Sequence, residues 1–100
     1  MSFRAVDRAR SGLELANARL NATAHNTANV LTEDYRRIRV TGAEGPDGGV
    51  TPRTVRETRP GADLVADAVD RTTASVLYAA NLAVMVVDDR LTGETLDLIG

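Results

Sequence analysis

From Phe3 onward the apolar positions Val6, Ala9, Leu13, Ala16, Leu20 and Ala24 return every three or four residues, and Val30 closes the run. This is the spacing of one stripe of an α-helix, with Arg4, Arg8, Glu14 and Arg19 mainly off it. At about 1.5 Å per residue such a helix would be roughly 40 Å long. After Thr32-Glu33-Asp34 the period becomes two. In Tyr35 to Val40, Ile38 and Val40 share one face, and Tyr35, Arg37 and Arg39 share the other, as in a strand. Thr41 to Gly49 holds four Gly and Pro46, a turn-rich stretch, and Val50 to Arg59 resumes β-prone Val and Thr. A β-hairpin or extended loop over 35–59 is the simplest arrangement, with Pro52 placing the second arm at an edge or leaving it partly paired.

Pro60-Gly61-Ala62-Asp63 opens a second helix over 63–99, with Asp63 as its N-cap and Asp67 and Asp70 near the positive end of its dipole. Val65, Ala68, Val69, Thr72, Val76, Ala79, Ala83 and Val86 form a near-heptad stripe, the signature of a helix packed along another for several turns. Between Val76 and Val87 the helix is apolar nearly all round, so one partner helix cannot cover it, and other subunits are the expected cover. Gly93 costs about 1 kcal/mol in a helix interior relative to Ala, which predicts a break or fray between Leu91 and Glu94.

The fold expected is therefore mainly α and a single domain, residues 1–100. An N-terminal helix (1–31) and a C-terminal helix (63–99) pack antiparallel as a coiled-coil-like hairpin, with the β-hairpin at its far end. Only Phe3, Tyr35 and Tyr78 are aromatic, so the core must be thin and built from Ala, Val and Leu. The net charge of −2 hides a gradient: residues 1–40 carry seven Arg against four acids, and residues 64–100 carry two Arg against six. The two ends attract each other. Every cation is Arg, which suits multidentate pairing with carboxylates, although a GC-rich genome gives the same bias.

Composition narrows the chemistry. With no cysteine, disulfides, thiolate metal sites and thiol catalysis are excluded. His25 is the sole histidine and lacks the neighbours of a metal site, and no Ser has a base and orienting acid spaced around it. The glycines at 42, 45, 48 and 49 precede no Gly-Lys-Ser/Thr, so they read as turn residues and not as a phosphate cradle. No enzyme chemistry and no cofactor or metal are expected. The slightly acidic balance argues against nucleic acid. The apolar run 76–87 is shorter than the roughly 20 residues of a membrane span, and the charged N-terminus lacks the apolar run of a secretory signal.

What remains are asparagines on otherwise apolar helical faces: Ala24-His25-Asn26-Thr27-Ala28-Asn29, running into Thr32 and Tyr35, and Tyr78-Ala79-Ala80-Asn81. An amide there needs partners on a neighbouring helix or turn, either as a register-setting contact or, for Asn26 and Asn29, as the cap ending the first helix. Arg36, Arg37 and Arg39 are placed to meet acids on the C-terminal helix of a neighbour or to lie on a solvated face.

These residues resemble the terminal signatures of the bacterial flagellar rod, hook and hook-associated axial proteins, particularly the small proximal-rod members. That family begins with Ser-Gly-Leu, then Asn-Ile-Ala-Asn, a Thr, and Gly-Tyr before basic residues. The matching positions are Ser11-Gly12-Leu13, Asn26-Thr27-Ala28-Asn29, Thr32, Tyr35, Arg36 and Arg37. It ends with Asp-Leu, Tyr-Glu-Ala-Asn and a leucine-rich tail, matched by Asp63-Leu64, Tyr78-Ala79-Ala80-Asn81 and Leu91 to Ile99. Thr27 stands where Ile is usual, Asp34 where Gly is, and Ala79 where Glu is. The middle is shorter than in most members.

The resemblance implies a structural subunit of the flagellar basal-body rod, self-assembling through its terminal helices. Its partners would be other axial proteins, its own copies and the flagellar type III export apparatus. It would be exported to the periplasmic rod without a cleaved signal. The expected interface residues are Leu13, Leu20, Asn26, Asn29, Tyr35, Val76, Tyr78, Asn81 and Val86. The alternative is a cytoplasmic adaptor or chaperone-like module related to those axial proteins, which the short middle favours.

Overall fold

The structure is a computed structural model that describes residues 3–99, with side chains described from Ala5 to Gly93. Two helices, α1 (Phe3–Ala28) and α2 (Leu64–Ile99), flank a hairpin of two antiparallel strands, β1 (Ile38–Glu44) and β2 (Val50–Arg56). The mainly α helix pair with a central hairpin is thus the architecture. Asp63 caps α2, its Oδ1 accepting the Ala66 N–H at 3.0 Å, and Asp67 lies in the first turn. Asn29 ends α1: its backbone N–H and its side-chain Nδ2 both donate to the His25 carbonyl, at 3.1 and 2.9 Å. Asp34 then takes φ 58°, a left-handed turn that Asp tolerates better than most residues.

Several boundaries differ from the sequence reading. Strand β1 starts at Ile38 rather than Tyr35, and runs on to Glu44 because Thr41 to Glu44 pair with Val50 to Arg53. Pro52 does not leave β2 partly paired. It sits opposite Gly42 within an unbroken seven-pair register, which a two-stranded sheet permits because each strand has an open edge. Helix α2 passes through Gly93 without a break.

The hairpin also does not sit at the far end. It folds back along α1, held at its tip by Arg8 Nε donating to the Asp47 carbonyl (3.0 Å) and by the Val50 N–H donating to Ser11 Oγ (3.1 Å). Gly48, at φ 84°, lets this tip close: a Cβ there would come within 2.7 Å of the Arg8 guanidinium.

Helix α1 therefore lies in the middle, in contact with α2 on one side and with both strands on the other, while among the described residues the strands do not pack on α2. Its strand-facing side buries Leu15 and Ala22 against Val40, with Ala18, Ile38 and Val50 around them. Most of the buried apolar residues are alanines (Ala9, Ala16, Ala22 and Ala74), so the core is as thin as the composition requires. The molecule measures 62 × 25 × 15 Å with a radius of gyration of 17.4 Å, well above the ~13 Å of a compact domain this long.

The helix pair packs through a different stripe from the one periodicity selects. Gly12 faces Asn81, and Asn26 faces Asp67. Each pair is separated by the same two heptads on both helices, so the antiparallel register holds without drift. On α2 the inward row is Asp67, Ala74 and Asn81, with Ala74 wholly buried. The Val65 to Val86 stripe points away from α1: Val65 is 76% exposed, Val69 58%, Val76 64% and Val86 51%. Small side chains let the two backbones come close, and the polar members of the inward row are partnered where they sit: Asp67 by Asn26 of α1 and by Arg37 just before β1, Asn81 by the Leu77 carbonyl one turn back on α2 (2.8 Å). The larger valines are left outside.

Candidate functional site

Two features stand out: a polar joint where α1, the start of β1 and α2 meet, and the open face of α2. The joint is centred on Asn26, 3% exposed on the last turns of α1. Its Oδ1 accepts the Ile38 N–H (2.8 Å), and its Nδ2 donates to the Ile38 carbonyl (2.8 Å), so the side chain pairs with one residue of β1 as a neighbouring strand would. The same Nδ2 donates to Asp67 Oδ1 (3.1 Å), and the Tyr35 hydroxyl donates to Asn26 Oδ1 (3.1 Å).

Arg37 completes the joint by donating to Asp67 Oδ1 from Nη2 (2.6 Å) and Nε (3.2 Å), with the two side chains only 11% and 5% exposed. The Asp67 hydrogen bond lifts the Arg37 guanidinium above its already high pKa, against the opposing effect of burial, so Arg37 stays charged. Asp67, at the positive end of α2, meets both the Arg37 cation and the helix dipole.

Arg37 thus pairs with the C-terminal helix of its own chain, not with that of a neighbour. Asn26 does not end the helix; it clamps β1 and α2 to α1, a contact between the two helices of one chain. Asn29 is the cap, reinforced by Thr32 Oγ1 donating to its Oδ1 (3.1 Å). Tyr35 is half-buried, its ring stacked on His25 (centroids 6.1 Å apart, 5° between planes), with the Arg56 guanidinium 5.7 Å from its centroid. Asn81, half-buried, packs its amide on Gly12, where a Cβ would come within 2.6 Å. Two motifs far apart in sequence, Ser11-Gly12-Leu13 and Tyr78-Ala79-Ala80-Asn81, therefore meet each other. Leu13 and Leu20 are half-buried.

The second feature is apolar. Besides Val76 and Val86, α2 leaves Leu77, Tyr78, Leu82 and Val87 exposed by 37–47%. Among the described residues, no three His, Asp or Glu side chains gather to hold a metal ion, and no helix is long and apolar enough to cross a membrane. Asp67 is the member of the joint that periodicity missed as a contact residue. The available signal was an acid on the helix seven positions before Ala74 and fourteen before Asn81. No known protein-family model matches the chain, and no curated protein matches it.

Proposed function

We propose that this chain is a structural subunit of the bacterial flagellar axial type, a rod component or a reduced accessory of the rod, that works by assembly and not by turnover. The observation that carries the reading is the outward row of α2, where Val65, Val69, Val76 and Val86 are all more than half exposed in a single copy. A continuous apolar strip on one side of an elongated molecule is what a subunit shows before its neighbours cover it. The resemblance of both terminal segments to the axial signatures supports the choice of assembly. So does the contact of Gly12 with Asn81, which gives the two signatures one shared role in holding the helix pair.

The partners proposed are other axial proteins and copies of this chain, with delivery through the flagellar type III apparatus. Fractionation tests this: a tagged chain expressed at native level is expected to co-purify with isolated basal bodies. Recovery only in the soluble fraction would support the second reading, a cytoplasmic adaptor related to the axial proteins. The short 45–49 turn, which replaces the longer middle of most rod members, favours that adaptor.

A further inference from the structure

We infer that two copies of the chain pair through the outer row of α2, antiparallel and about a twofold axis lying between Val76 and Ala79. The row Val65, Val69, Thr72, Val76, Ala79, Ala83, Val86, Arg90 alternates steps of four and three, every member is exposed, and it turns away from the α1 contact. It is a coiled-coil seam lacking its second helix, with Val69, Val76, Ala83 and Arg90 at one heptad position and Val65, Thr72, Ala79 and Val86 at the other. Leu82 and Val87, 45% and 47% exposed, widen it on either side.

The seam itself selects the occupant. When the helix is laid antiparallel on its own copy, every residue of the first set falls opposite one of the second: Val76 on Ala79, Ala83 on Thr72, Val69 on Val86, and Arg90 on Val65. Each central layer then sets a larger side chain against an alanine, and valine meets valine nearer the ends, so no layer is alanine on alanine. Parallel pairing would stack Ala79 on Ala79 and Ala83 on Ala83, leaving thin layers, and would set Arg90 against Arg90. The antiparallel arrangement instead brings each Arg90 to the Asp63 end of the partner helix and opposes the two dipoles. Contacts of this kind are self-complementary and close on themselves. The pair does not depend on the flagellar reading, but it uses the same strip, so a dimer is the form in which a copy outside any larger assembly shelters that strip.

The absence of cysteine makes the test direct. Single variants Thr72→Cys and Ala83→Cys of the full chain are oxidised separately and mixed, with mass measured by sedimentation equilibrium and helicity by circular dichroism. A disulfide in the mixture but in neither variant alone is expected. In the antiparallel pair Cys at 72 faces position 83, while its own copy lies beyond the ~7 Å reach of a disulfide. The parent should sediment as a dimer, and Val76→Glu should weaken dimerisation by at least about a hundredfold with helicity retained, because it places two like charges at the twofold axis. A cross-link within Thr72→Cys alone would overturn the antiparallel arrangement, and a monomer at all concentrations would overturn the pairing. Large polymers without the mixed cross-link would overturn the dimer while leaving the axial-subunit reading standing. A cross-linked dimer that never joins basal bodies would do the reverse.

Discussion

The two long faces of α2 invert the usual distribution. The side packed on α1 presents Asp67, Ala74 and Asn81, while the side turned to water presents Val65, Val69, Val76 and Val86. Backbone proximity and satisfied polar groups decide what faces inward. Ala74 and Gly12 let the helices approach, Asp67 finds Arg37 and Asn26, and Asn81 covers Gly12. The outward valines contribute little to the folding of one copy, since most of their surface stays wet, and their worth appears only when something covers them. In this molecule, the residues that hold one copy together and the exposed valine row lie on opposite sides of one helix.

The comparison breaks first at the joint. Asp67→Ala should destabilise the chain by about 3–5 kcal/mol in urea unfolding, because it leaves Arg37 charged and nearly buried without its partner and takes an acceptor from Asn26. Gly12→Val should follow at about 1–3 kcal/mol, since its Cβ alone meets the Asn81 amide; rescue by Asn81→Ala would identify the clash as the cause. Tyr35→Phe removes one hydrogen bond to Asn26 and should cost about 1 kcal/mol.

The smallest effect concerns alkaline pH. A guanidinium whose pKa is raised on folding gives stability that is complete below its unfolded value and is lost only as pH rises past the folded one. The Arg37 pair should therefore add no slope to stability between neutral pH and about pH 10, where arginine stays protonated. Unfolding of the parent and of Arg37→Gln across that range should run parallel.

Much of the fold was legible because its signals are local. Period three-to-four over Val6 to Ala24, Asp63 at a helix start, and turn glycines between two β-prone arms each act within a few residues. The surplus of apolar circumference between Val76 and Val87 was legible for the same reason, as a count around one helix. What could not be read was which stripe of α2 meets α1. Periodicity weighs side-chain size, and the choice was made by small residues and by the polar partners of Asp67, one of them 30 positions away at Arg37. The role of Asn26 was hidden similarly: its two bonds to Ile38 exist only once the hairpin folds back along α1, and nothing near Asn26 in the sequence announces that reversal.

Two substitutions only two residues apart on α2 test the central asymmetry most directly. Stability and helicity of Ala74→Glu and Val76→Glu should be measured at a concentration low enough for the parent to be monomeric. Ala74 is wholly buried and Val76 is 64% exposed. Ala74→Glu should therefore open the helix pair, with a loss of about 3 kcal/mol or more, whereas Val76→Glu should stay within about 0.5 kcal/mol of the parent. Equal damage from both would show that the valine face lies inside the folded chain, and tolerance of the glutamate at 74 would show that Ala74 does not sit at the helix contact; either result contradicts the account.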